Sequence, residues 1–229
     1  MRTVHFHSLS LVAAAVLTLA ASVAAQDRPA GLLNNLEVRQ LVARAEPSDH
    51  AQLSAHFNAL GDRYAAEAKR HISMSQSFIG NPSRNLGTGM SAHCKRLADL
   101  NTQSATTVRE LAAYHVKMAS GTPATPPRDA ARFQGGAGAP DPTEKELDAL
   151  AAKANTPAEH RGLEEYFLTL AKRYTAEANE HVALAQTYRG TRIAQAAVHH
   201  DRLAGLSRDA AKEAIVAADM HKQLAGVGR

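Results

Sequence analysis

Residues 50–78 read HAQLSAHFNALGDRYAAEAKRHISMSQSF. Within them His50, Leu53, Phe57, Leu60, Tyr64, Glu67, His71, Met74 and Phe78 follow one another at alternating steps of three and four. That period belongs to a helix that buries one stripe of side chains against a partner helix. Residues 160–188, HRGLEEYFLTLAKRYTAEANEHVALAQTY, carry the same stripe: His160, Leu163, Phe167, Leu170, Tyr174, Glu177, His181, Leu184 and Tyr188. Polar residues sit on both stripes at matching places, so the fold and any function must account for the same imidazoles and carboxylates twice.

The match extends into a duplication. Residues 47–74 and 157–184 share 11 identities in 28, and residues 93–119 and 199–225 share 9 in 27. Ten of the twelve histidines lie beyond residue 25, and eight of those ten form four repeat pairs: His50 with His160, His71 with His181, His93 with His199, His115 with His221. A second stripe in each copy is read as His93, Leu97, Leu100, Ser104, Val108, Leu111 and His115, matched by His199, Leu203, Leu206, Ala210, Ala214, Ala217 and His221. In an antiparallel hairpin, residues at one height have a constant index sum. His71 with His93 gives 164 and His50 with His115 gives 165; in the second copy the sums are 380 and 381. The turns are therefore expected at residues 79–88, around Pro82, and at 188–191, around Gly190.

These readings predict an all-α chain of two duplicated antiparallel helical hairpins, packed as a four-helix bundle, each hairpin preceded by a short helix. The expected organisation is a signal peptide at 1–25, an N-terminal segment with a short helix at 26–46, and hairpin 1 at 47–120. A Gly/Pro/Ala-rich linker follows at 121–142, then a short helix and hairpin 2 at 143–229. Thr156-Pro157-Ala158-Glu159 has the form of a capping box with proline at the first helical position. The N-terminus carries Arg2, an apolar run from Leu9 to Ala20, and Ala-Ser-Val-Ala-Ala-Gln, which predicts cleavage after Ala25 and a periplasmic or secreted mature chain. No later run reaches the ~20 apolar residues of a transmembrane anchor. The formal net charge is +4, with both signs mixed along the helices, so nothing points to nucleic acid. A homodimer or a protein partner stays open.

The candidate site is the histidine and glutamate set of the stripes. Glu67, His71 and His93 are expected to converge in one hairpin and Glu177, His181 and His199 in the other. His50, His115, His160 and His221 form weaker outer levels. Imidazole with a carboxylate suits Zn, Cu, Ni or Fe, in a buffering or sensing role. The alternative is a metal-free structural or interaction module whose core histidines are satisfied by neighbouring polar groups. The single cysteine, Cys94, rules out a disulfide framework. Its counterpart is His200, an exchange that keeps metal-ligand chemistry, but beside His93 and His199 both are read as flanking the stripe. Met74, Met90, Met118 and Met220 lie near repeat histidines, yet their counterparts carry no sulfur, so they are read as core filling. The arrangement resembles the ferritin-like di-iron bundles in architecture only. Those use Glu-x-x-His, whereas this chain has Glu-x-x-x-His and histidine at 93 and 199. No haem-attachment, zincin, phosphate-loop or nucleophile-elbow motif occurs, and the chain is read as a binding protein rather than an enzyme.

Overall fold

The computed structural model describes residues 32–79, 89–120 and 144–227. Six helices follow in order: α1 (Asn35–Arg44), α2 (Pro47–Ile79), α3 (Gly89–Ala119), α4 (Glu144–Lys153), α5 (Pro157–Arg189) and α6 (Ala196–Val227). Among the described residues there is no strand. The expected signal peptide, linker and first turn lie outside the described residues. The second turn is six residues long, 190–195, rather than the four expected. It places Ile193 in the core, and Thr191 N–H closes it on the Tyr188 carbonyl at 3.0 Å.

Helix starts follow local chemistry. Asn34 caps α1 and Thr156 caps α5. In each, the side chain accepts from the N3 backbone N–H, and Glu37 or Glu159 answers the cap's own N–H. Each reciprocal pair satisfies two of the donors a helix start leaves open. Pro157 takes the first position of α5, where its missing N–H costs nothing.

α2 pairs with α3 and α5 with α6, as duplicated hairpins, and α3 packs on α6 to join them. Ala98, Ala105 and Ala112 on α3, and Ala197, Ala204, Ala211 and Ala218 on α6, recur every seven residues and are all buried. Such small side chains let helix backbones come close. α2 and α5 do not: no Cα of one lies within 8 Å of the other. The short helices fill that opening, α1 against α2 and α5 at one end and α4 against the same two at the other. Among the described residues no helix is long and apolar enough to cross a membrane.

Two cores result, each drawing on both copies. One joins Phe57, Val108 and Leu111 from the open end of hairpin 1 to Tyr188 and Ile193 from the closed end of hairpin 2, under Val38 and Val42 of α1. The other joins Leu163, Phe167 and Ala217 from the open end of hairpin 2 to Met74, Phe78 and Met90 from the closed end of hairpin 1, under Leu147 and Ala151 of α4.

Phe57 and Phe167 are fully buried counterparts, one in each core. Phe57→Ala and Phe167→Ala should each cost about 3–5 kcal/mol by urea unfolding. Because the two sites share no partner, the double variant should lose the sum of the single effects to within roughly 0.5 kcal/mol. A clearly smaller loss would mean that the two ends do not pack as separate cores.

Candidate functional site: paired imidazoles in the bundle core

His50, His115, His160, His181 and His221 are buried as the stripes require, and their partners are imidazoles. His50 Nδ1 lies 3.0 Å from His115 Nδ1 across hairpin 1. His160 Nδ1 lies 3.2 Å from His221 Nδ1 across hairpin 2. Phe57 stacks on His115 and Phe167 on His221, with ring centroids 5.5 and 5.7 Å apart. The outer pairs are thus the same construction made twice, once in each core.

The inner level departs from expectation. His181 pairs with His200 rather than His199, Nδ1 to Nδ1 at 3.2 Å. His199 and His93 are partly exposed where α3 meets α6. His93 bonds Glu213 of α6, and His199 Nδ1 stands 3.8 Å from Glu110 Oε2 of α3. The structure therefore does not bring His93 to His71 or His199 to His181. The buried stripe of α6 runs through His200, Leu203, Ser207, Ala210, Ala214, Ala217 and His221, in unbroken steps of three and four. On α3 it runs through Cys94, Leu97, Asn101, Ser104, Val108, Leu111 and His115. Cys94 and His200, read from sequence as flanking residues, are both 0 % exposed. The expected seam had taken Leu100 and Leu206 in place of Asn101 and Ser207, which introduced a four-four step and displaced its far end by one residue.

Glu67 and Glu177 are buried, but arginines meet them first. Arg173 Nη2 donates to Glu67 Oε2 at 2.7 Å, and Arg63 Nη2 donates to Glu177 Oε1 at 2.7 Å. These reciprocal bridges span the α2–α5 opening. Arg63 and Arg173 are identical in the two copies, a signal the histidine-centred reading did not use. Glu67 has a second guanidinium, Arg70 at 2.8 Å, and His71 Nε2 lies 3.3 Å from its Oε1. Burial would raise its pKa, but His71, Arg173 and Arg70 together hold it well below the usual carboxylate range. At Glu177 burial prevails over Arg63 and Arg173 and pushes the pKa upward. In that copy Glu180 stands where Arg70 would be.

Hydrogen bonds orient the inner imidazoles. Tyr64 Oη donates to Glu177 Oε2 at 3.2 Å and lies 3.3 Å from His181 Nε2. With its proton committed to the carboxylate, the tyrosine oxygen accepts from His181 Nε2–H. The Nδ1 of His181 is then a bare lone pair aimed at His200. Tyr188 joins this level to the outer one: its ring stacks on His200 with centroids 5.1 Å apart, and its hydroxyl lies 3.0 Å from His115 Nε2. One half of the bundle therefore holds four imidazoles in sequence, His181, His200, His115 and His50, linked by Tyr188. The other half holds the His160–His221 pair with Phe78 in the place of Tyr188, and His221 Nε2 has no partner.

Burial keeps these rings neutral. It pushes His115 down to about 3, helped by His50 and His56, and His221 down to about 3, helped by His160. His181 is likewise pushed down to about 3 by burial, then by Arg63 and His56. His50 and His200 are lowered for the same first reason. Neutral imidazole is the metal-ligating form. Among the described residues no group of three or more His, Cys, Asp or Glu side chains converges to hold a metal ion, so any ligand set here is built from pairs. Burial also raises the Cys94 thiol, with Glu213 adding to it. His56, one of the two histidines beyond residue 25 without a histidine counterpart, accepts from the Leu33 backbone N–H at 3.0 Å and secures the entry to α1.

The lowered pKa values fix a pH dependence. Above pH 6.5 the rings are neutral in both folded and unfolded chains, and stability is at its full value. As pH falls below 6.5 only the unfolded chain takes up protons, and stability is lost progressively toward pH 3. At pH 5.5 the loss should be roughly 1 kcal/mol for each of His115, His181 and His221. Urea midpoints at pH 7.5 and 5.5 check this; equal midpoints would mean that the rings are charged or exposed in the fold.

Compared with protein families, curated proteins and solved structures, the chain matches none.

Proposed function

We propose that this chain is an exported helical bundle that holds a transition metal ion between paired core imidazoles, as a buffer or sensor of that metal. The observation that carries this is the His181–His200 pair. Two nitrogens bound tetrahedrally to one metal at ~2.0–2.1 Å would stand about 3.3 Å apart. His181 and His200 present Nδ1 atoms 3.2 Å apart in a buried position, with the His181 lone pair directed inward. The Glu177–Tyr64–His181 chain has the form of the outer interactions that orient and strengthen a metal-bound histidine. Imidazole pairs suit Zn, Cu, Ni or Fe. The leader-like N-terminus supports an exported location. The ferritin-like activity does not transfer, since both glutamates are engaged by arginine.

A second reading has its own support. At 3.0 Å, His50 and His115 are also within range of one N–H···N hydrogen bond, and Tyr188 serves the other nitrogen of His115. In that reading the pairs are satisfied core polar groups and the bundle is a metal-free interaction module.

Metal analysis of untagged protein and thermal unfolding with Zn(II), Cu(II), Ni(II) and Fe(II) separate the two. Metal binding at a hundred times its Kd should add about 2.7 kcal/mol of stability. Replacing both His181 and His200 by alanine should abolish that gain. If no metal raises the unfolding temperature, or if the double variant loses the same stability with and without metal, the metal reading fails and the structural one stands.

A further inference from the structure

We infer that His71 and Cys94 form a nitrogen–sulfur site for a soft monovalent metal ion such as Cu(I), different in selectivity from the imidazole pairs. The inference rests on the reading that the paired levels of this bundle are metal sites, and it adds a fourth level to the three already described. Its starting point is register. His71 and Cys94 have an index sum of 165, the same as the bonded pair His50 and His115. In the second copy His181 and His200 share their sum, 381, with the bonded pair His160 and His221. Cys94 therefore stands opposite His71 as His200 stands opposite His181.

The second observation concerns His71 itself. The ring is 0 % exposed, and neither nitrogen has a hydrogen-bond partner. Nε2 is 3.3 Å from Glu67 Oε1, close enough for attraction but off hydrogen-bond alignment. Nδ1, the atom that its counterpart His181 turns to His200, has nothing. An unsatisfied buried polar group costs about 1–3 kcal/mol. A thiol, a weak donor, does little to offset that, whereas a metal ion between Nδ1 and Sγ would. A core cysteine alone would be read as a small hydrophobe. It is the unpartnered imidazole opposite it that calls for a ligand.

Charge selects the ion. On binding, Cys94 loses its Sγ–H proton to solvent and the thiolate takes the metal, while His71 donates its Nδ1 lone pair as a neutral ligand. Thiolate and a monovalent ion sum to zero charge. A divalent ion would leave one positive charge among Met74, Phe78, Met90 and Leu97 of the same core, which is costly. Glu67 does not offset it, being already paired with Arg70 and Arg173. Thiolate and thioether surroundings favour Cu(I), and Met74 and Met90 bring two further soft sulfurs into this core.

The test is an anaerobic titration of the full chain with Cu(I) against a chromophoric competitor, read by affinity and by the ultraviolet thiolate-to-metal charge-transfer absorption. Wild type should show the absorption, and Cys94→Ser should lose it together with roughly tenfold or more of the Cu(I) affinity. Zn(II)-induced stabilisation should be unchanged in Cys94→Ser. The variant with His181 and His200 both replaced by alanine should keep the absorption. Cys94→His, which restores the residue of the other copy, should remove the absorption and add Zn(II) stabilisation, and it guards against a serine that fails to pack. Wild-type protein that binds Cu(I) without the absorption, or Cys94→Ser with wild-type affinity, overturns the His71–Cys94 site while leaving the imidazole pairs standing. A Zn(II) response absent from wild type alongside an intact thiolate absorption has the opposite meaning: the imidazole reading falls and this site stands.

Discussion

A buried imidazole needs something for each of its two ring nitrogens, and that requirement organises this bundle. Eight histidines are buried among the described residues, and a neutral ring left unpaired there costs about as much as a good core side chain contributes. The fold answers by placing imidazole against imidazole across each hairpin and, at His181 and His115, by linking the second nitrogen to a tyrosine hydroxyl. Helix register, turn position and the stacking of Phe57 and Phe167 on His115 and His221 all serve the same pairing. The paired nitrogens then stand at a separation that suits either a shared proton or a shared metal. Geometry alone makes the two alternatives neighbours, and occupancy decides between them.

Duplication gives the bundle two ends of one plan, and the differences between them are more informative than the likenesses. At one end His200 and Tyr188 complete a continuous line of rings from His181 to His50. At the other, Cys94 and Phe78 interrupt the line: both nitrogens of His71 and Nε2 of His221 have no hydrogen-bond partner there, against Nε2 of His200 alone at the first end. The carboxylates follow the same division. Each accepts from a tyrosine hydroxyl, but Glu67 is held charged by two guanidinium groups, Arg173 and Arg70, while Glu177 has Arg63. The Tyr64 hydroxyl passes the orientation of Glu177 to His181, whereas the matching Tyr174 is bonded to Asn101 at 2.6 Å and Glu67 accepts from Tyr166 Oη at 3.5 Å instead. One end is thus richer in nitrogen and hydroxyl groups, the other in sulfur.

Much of this was legible in the sequence, and the failures have a physical cause. The strict alternation of threes and fours from His50 to Phe78 and from His160 to Tyr188 identified those stripes residue by residue, because every place on them except the glutamates is apolar or aromatic. On the partner helices Asn101 and Ser207 occupy the stripe, and a search for apolar residues moved to Leu100 and Leu206. Asn101 can be buried because its amide donates to the Leu97 carbonyl and to Tyr174, contacts no sequence pattern reveals. That one displacement exchanged His93 for Cys94 and His199 for His200. An unbroken period would have been the better guide than hydrophobicity, since it returns both index sums in each copy to the same value.

The arginine bridges explain why the bundle can be close on one side and open on the other. Alanines on α3 and α6 allow those backbones to approach. On the opposite side α2 and α5 stay more than 8 Å apart, a spacing that apolar side chains could close only by collapsing the cores. Long guanidinium side chains reach across it instead, Arg63 to Glu177 and Arg173 to Glu67, while α1 and α4 cover the ends. Each arginine reaches from one copy to the carboxylate of the other, so Glu177 takes its guanidinium from the other hairpin, while Glu67 has one from each. The same carboxylates touch the histidine levels, through Tyr64 to His181 and through space to His71. Docking of the two copies and orientation of His181 are therefore one set of interactions, since the hydroxyl that holds its Nε2 comes from the other hairpin.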